Sequence, residues 1–564
     1  MSIRLDPAYR AAALDTLTDD EIDVLVIGGG VVGAGAALDA ASRGLSVTLV
    51  EARDWAAGTS SRSSKLIHGG LRYLEQRDFA LVREALKERG LLLHRLAPHL
   101  VRPVPFLFPL RRRAWERAYV GAGIALYDTL GGARALPAHR HLSRRGALEL
   151  APGLDPDALT GAIRYYDAQV DDARHTMTLA RTAAQHGATV LNRSKVVGLL
   201  RDGARVVGAR VVDVESGAEY AVRARRVVSA TGVWTDEMQR LTGVASPFSV
   251  RMSKGVHLLV PRERIHLETG LITTTEKSVL FVIPWGSHWI IGTTDTEWTL
   301  DRDHPAVSKS DVDYLLERVN AVLREPLTTE DIDGVYAGLR PLVSGGSSDT
   351  AQLSREHAVA EPVPGLFVIA GGKYTTYRVM AADVVNAAVR GLGRAVAPSV
   401  TDRLPLLGAA GYHELFEDRD SLAQRHGLPV STVEHLLGRY GAMVTDLFGL
   451  IERDPELSEP IPGAEDYLKA EAVYAVSHEG ALHLDDVLTR RTRISIEAGD
   501  RGLAAAPEIA RLIAARLGWD AARQRREVAC YRERVHAERR AQQTVDDDAA
   551  NAARLAAPEV VAMT

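Results

Sequence analysis

A single cysteine, Cys530, stands in 564 residues. That scarcity excludes a disulfide framework and any iron–sulfur or structural zinc site built on thiolates, so no metal centre is expected and a reducing cytoplasm is. Long apolar runs are missing too. Nothing approaches the roughly 18 consecutive residues that a membrane-spanning helix needs, and any membrane contact is expected to be peripheral. Residues 1–20, with Asp6, Asp15, Asp19 and Asp20, lack the apolar centre of a signal peptide. Neither sign of charge dominates: the net charge is -5, which argues against a nucleic-acid partner. The chain shows no internal repeat. Its 46% hydrophobic and 25% charged residues are ordinary globular values, and its length exceeds what one core serves, so two or three domains are expected.

The richest stretch is Ile22 to Glu51, which reads as strand, glycine turn, helix, strand and acidic cap. Asp23 to Ile27 is a β-branched run of the kind buried in a parallel sheet. Gly28, Gly30 and Gly33 then supply G-x-G-x-x-G: a tight turn, a backbone that lets a pyrophosphate approach, and close packing of helix on strand. The helix N-terminus suits the phosphate anion. Ser46 to Val50 forms a second strand, and Glu51 is placed to accept hydrogen bonds from a ribose. This unit alone allows FAD or NAD.

Downstream, Gly58 to Glu75 is a dense polar segment, as expected of a loop wrapping a cofactor. Residues 101–130 combine prolines, aromatics, the Arg111–Arg113 triplet and Trp115, which suits either a membrane surface or a packed strand and helix with a basic edge. The middle of the chain is β-rich. The strand in Arg225 to Asp236 ends in Ala-Thr-Gly, bringing Gly232 close to a cofactor, and the short strands over 247–300 suggest an antiparallel platform. Gly365 to Arg378 is a second strand, glycine turn and helix, carrying Gly372, Lys373, Thr375 and Thr376. From about Asp402 the chain turns helical, with STVE at Ser431 to Glu434 reading as a capping box. An alcohol-oxidising flavoprotein needs a proton-accepting base and a cation near the flavin; converging arginines would add an anion site.

GGGVVGAG, SSKLIHGGLRYLE, FVIPW, IGTTD, GLRPL and GGKYTTYR occur in this order. On these motifs the chain resembles the FAD-dependent glycerol-3-phosphate dehydrogenases over about residues 20–395. The resemblance implies an α/β plus α fold: a two-domain FAD oxidoreductase, with a Rossmann-like FAD domain and an antiparallel β substrate domain, followed by a C-terminal helical domain. The expected FAD-domain parts are 20–100, 166–240 and 336–398. The substrate-domain parts are 101–165 and 241–335, the helical domain is 399–545, and 546–564 is a flexible tail.

By position, Gly28, Gly30, Gly33 and Glu51 would hold the ADP half of FAD, and Thr59, Ser60, Ser64, Lys65, Leu66 and His68 would wrap the diphosphate and flavin. Arg72, Tyr73, Arg340, Arg355 and Lys373 would form the substrate pocket, and His257 is the candidate base, with Arg340 and Lys373 as rivals. Val32, where relatives often carry a polar residue, and Arg62, which interrupts the small residues of SSRSSK, depart from the pattern. The implied reaction is oxidation of glycerol 3-phosphate to dihydroxyacetone phosphate. The resemblance also implies a membrane quinone as electron acceptor and a cytoplasmic enzyme held peripherally on the inner face of the membrane, with a homodimer left open. An oxidase passing electrons to oxygen and a flavin-binding module without turnover are the alternatives.

Overall fold

The computed structural model describes residues 3–70, 78–111, 115–131, 136–244, 248–274, 279–343 and 357–563. Strand Ile22–Ile27 lies inside an eight-stranded sheet, parallel to Val47–Val50 on one side and to Glu219–Ser229 on the other. Thr189–Leu191 and Leu366–Gly371 extend the parallel order outward. Helices Val31–Ser42, Asp172–Gln185 and Tyr377–Val389 pack on one another against this sheet. Their small residues, Ala34, Ala37, Ala180, Ala183 and Ala381, let them approach closely enough to bury Val24 and Val26 beneath them. Strands covered in this way read as continuous apolar runs, as VLVI does.

A ten-stranded sheet forms the second layer. Strand Val250–Pro261 is central to the site: Gly334–Val343 runs antiparallel along it, from Val250 opposite Val343 to Leu259 opposite Gly334. The expected boundary at 335/336 is therefore corrected, because YAGLRPL completes the platform instead of returning to the nucleotide-binding sheet. The boundary at 165/166 moves likewise, since strand Gly161–Val170 pairs throughout with Val101–Leu110 of the second sheet. Leu66–Ile67 also joins this sheet, opposite Gln169 and Ala168.

Beyond residue 399 the chain is helical apart from a small hairpin, Pro460–Ile461 with Ala464–Leu468. Helix Val430–Tyr440 begins at Pro429, not at a Ser431 cap, and Glu434 bonds Arg419 at 2.7 Å, so the capping-box reading is corrected. The flexible tail over 546–564 is corrected in part. Asp547–Leu555 is a helix capped by the Asp546 carboxylate, which accepts from Ala549 N at 2.8 Å. Ala550 is buried in a cluster with Val233, Met252, Trp298 and Leu339, and Asp547 pairs with the buried Lys254.

Candidate active site

Gly28 has φ +108°, and a Cβ there would lie 2.6 Å from the Ala230 carbonyl oxygen. A Cβ on Gly33 would run into the Gly28 carbonyl. These positions tolerate nothing but glycine, and they bring the helix, Ile22–Ile27 and the end of Glu219–Ser229 close together, as a dinucleotide cradle requires. Gly33→Ala is expected to yield protein without bound flavin, checked by the visible absorption spectrum of the purified material.

Two groups tie the cradle to its surroundings. Glu51 accepts from Gly29 N at 2.6 Å and from Arg53 N at 2.8 Å, while burial pushes its carboxyl up. Ser60 Oγ accepts from Val31 N, in the first turn of the helix, at 2.9 Å. A phosphate on this N-terminus would meet backbone N–H groups and a hydroxyl together.

The polar loop runs from here toward the second sheet. Thr59 Oγ1 donates to Leu339 O at 2.6 Å. Ser64 Oγ lies 2.8 Å from His257 Nε2. The side chain of Lys65 turns inward: its ammonium is wholly buried and bonds Asp172 at 2.8 Å and Ser61 O at 3.3 Å, over the Tyr336 ring. Leu66 lies in its short strand. His68 N donates to Thr375 Oγ1 at 3.1 Å, which joins the loop to the second glycine turn. At that turn Gly371 and Gly372 have φ +77° and +79°, and Thr376 Oγ1 donates to the carbonyl of Lys373 at 3.4 Å. Gly232 has φ +54° and open space where a side chain would point.

His257 and Arg340 come together across the paired strands, with His257 opposite Tyr336 and Ser253 opposite Arg340. The His257 ring stacks on Tyr336 at 4.7 Å between centroids. Burial, then the charges of Arg340 and Lys65, hold its pKa well below the ordinary value, so the imidazole is neutral. Arg340 donates to Ser253 Oγ at 3.2 Å and to Thr293 Oγ1 at 3.1 Å, and stands 3.6 Å from Asp295. Two glycines make room for these side chains. A Cβ at Gly255 would lie 2.6 Å from Arg340 Nη2, and one at Gly292 would strike the His257 ring. Lys373 lies in the turn just after strand Leu366–Gly371 of the neighbouring sheet, which packs beside Gly334–Val343. Arg72, Tyr73 and Arg355 lie outside the described residues.

Sequence reasoning missed the support of the loop. The Asp172 carboxylate accepts from Ser63 N and Oγ, from Lys65 Nζ and from Arg493 of the helical region. Arg493 also reaches Asp171 and Ser61 O, while Arg490 and Arg491 clasp Asp54. The available signal was an adjacent acid pair opening a helix and a distant RRTR, neither of which names its partner.

Residues 23–385 match the family described as FAD dependent oxidoreductase, and residues 399–524 match the C-terminal domain of alpha-glycerophosphate oxidase. The chain is 60% identical to glycerol-3-phosphate dehydrogenase 2 of Mycobacterium tuberculosis, over 98% of this chain and 95% of that one. It is 38% identical to the human mitochondrial glycerol-3-phosphate dehydrogenase, over 92% and 74%. Among solved structures, the glycerol-3-phosphate dehydrogenase of Bacillus halodurans complexed with FAD superimposes with a TM-score of 0.77 at 28% identity, covering 94% of this chain and 98% of that one.

Proposed function

We infer, because this chain belongs to the FAD-dependent oxidoreductases and within them to the glycerol-3-phosphate dehydrogenases, how its own residues carry out that oxidation. The enzyme takes glycerol 3-phosphate to dihydroxyacetone phosphate. FAD, when bound, supplies the acceptor for the hydrogen and the electron pair leaving C2. The glycine cradle and Ser60 hold its diphosphate, Glu51 its ribose, and Thr59, Leu66, His68, Gly232, Gly372, Thr375 and Thr376 surround the rest.

The observation that carries the reading is the buried His257, bonded to Ser64 Oγ at 2.8 Å and brought beside Arg340 by the paired strands. In the reading proposed here, the imidazole accepts the proton of the C2 hydroxyl, and the cation of Arg340, which disfavours the imidazolium, favours its release to solvent once the product leaves. Arg340, with Arg72, Tyr73, Arg355 and Lys373, grips the substrate's phosphate and oxygens, since guanidinium matches phosphate in a bidentate fork.

The acceptor is a membrane quinone, reached from a peripheral site on the inner face of the cell membrane. Among the described residues no helix is long and apolar enough to cross a membrane. Helix Trp115–Gly131 instead presents Trp115, Tyr119 and Leu126, 59%, 60% and 39% exposed, along one face. Phe79, 45% exposed, begins the helix packed beside it. Aromatic rings on such a face suit the headgroup region of a bilayer. Replacing Trp115 and Tyr119 by Ser is expected to reduce both binding to anionic vesicles and reduction of a vesicle-borne quinone, leaving turnover with a soluble dye intact. Equal quinone and dye rates in both proteins, or reoxidation by oxygen as fast as by quinone, would sink this part of the reading.

A further inference from the structure

We propose that the chain binds a second anion of the phosphate class in a cavity beneath its C-terminal segment, with Arg62 as the group that grips it. The cavity, about 120 Å³, lies between the loop after Glu51, the helical region and residues 557–561. A second cavity of about 70 Å³ shares the wall formed by Arg62, His304, Arg534 and Arg554. A water needs about 10–15 Å³ of such space, so the larger one has room for a tetrahedral oxyanion.

The charge of this wall is unbalanced at one place. Arg53 pairs with Asp303, Arg193 with Asp486, Arg490 with Asp54, Arg534 with Asp485, and Arg554 with Glu538. Arg62 has no carboxylate within ion-pair distance among the described residues, and its guanidinium donates only to the Asp303 carbonyl, at 3.3 Å. Burial, then the like charges of Arg534, Arg490 and Arg554, pull it down from its ordinary value to about 9. It still carries its proton at neutral pH, so a half-buried cation without a carboxylate of its own faces a cavity whose other arginines are paired with acids such as Asp303 and Asp485. A partly desolvated guanidinium without a counter-charge is costly, and a phosphate oxyanion supplies both the charge and the bidentate acceptor.

The roof over this wall is itself built from polar contacts. The Glu559 carboxylate lies 3.0 Å from His304 Nε2, whose other nitrogen, Nδ1, is 3.3 Å from Arg554 Nη2. Met563 O accepts from Lys195 Nζ at 3.1 Å. The segment is thus fixed to the wall at its rim, with the cavity under it. None of the roles assigned above to the active site uses Arg62, Arg534 or Arg554.

The test is calorimetric titration of the FAD-loaded enzyme with inorganic phosphate, comparing wild type with Arg62→Met. The expected result is one bound phosphate fewer per chain in Arg62→Met, with FAD content and the KM for glycerol 3-phosphate unchanged. In phosphate-free buffer the variant's Tm is expected to rise, because a repelled cation is gone. Identical phosphate stoichiometry in the two proteins overturns the proposal. Loss of FAD from Arg62→Met also overturns it, since the arginine would then serve the cofactor's own diphosphate. If Arg62→Met does not fold, Arg554→Met is titrated in its place, and an unchanged stoichiometry there is equally fatal. Dihydroxyacetone phosphate, titrated in parallel into both proteins, distinguishes the two sources: one bound molecule fewer in Arg62→Met marks a site open to phosphoesters, and a loss seen for inorganic phosphate alone marks a site for the free ion.

Discussion

Arg340→Met is expected to lower kcat/KM for glycerol 3-phosphate by about 10²–10³-fold while the protein keeps its bound flavin. The guanidinium is aimed by Ser253, Thr293 and the Thr294 carbonyl, and Gly255 leaves it the space. Its described bonds run to residues of the second sheet, so its removal is expected to take away a charge at the substrate and not a support of the cofactor. Steady-state kinetics beside the visible spectrum reads both effects at once. Full activity, or a colourless protein, would move Arg340 out of the pocket.

Asp172→Asn has the larger effect on the fold. The substitution leaves the ammonium of Lys65 and the guanidinium of Arg493 buried beside a neutral amide, and breaking a buried pair in this way costs about 3–5 kcal/mol. Lower Tm and release of FAD on gel filtration are expected together, because the same carboxylate positions Ser63 and so the loop bearing Ser64. Asp171 adds a pH dependence. Burial alone would raise its carboxyl, but Arg493 and Arg439 overcome this and hold it well below the ordinary range. A depressed carboxylate contributes stability above its unfolded value and loses that contribution as pH falls. The clasp between loop and helical region therefore weakens below about pH 4. Unaltered stability and flavin retention in Asp172→Asn would reduce the cluster to a bystander.

The cradle was legible because its signal is local: Gly28, Gly30, Gly33 and Glu51 fall within one strand–helix–strand unit whose spacing carries the physics. The six ordered motifs extended that reading to FAD and to the substrate. What stayed hidden depends on register and long-range pairing. That His257 and Arg340 converge follows from the alignment of Val250–Pro261 on Gly334–Val343, which neither strand encodes alone. YAGLRPL, with its glycine and proline, did not read as a paired strand.

The clasp of Asp172 and Arg493 joins residues 321 apart, and Lys65 could not be seen to turn inward without Asp172. The alanine-rich end looked mobile by composition, yet its small residues are what let Ala550 pack under Trp298. STVE had the right residues for a cap two positions too late, because Pro429 had already started the helix.

The oxidation of glycerol 3-phosphate is tested most directly by mixing the purified, FAD-loaded protein with that substrate in the absence of oxygen and following the flavin absorbance. Rapid bleaching, stoichiometric with the dihydroxyacetone phosphate formed and slowed by Arg340→Met, is the expected result. A flavin that stays oxidised in excess glycerol 3-phosphate would contradict it.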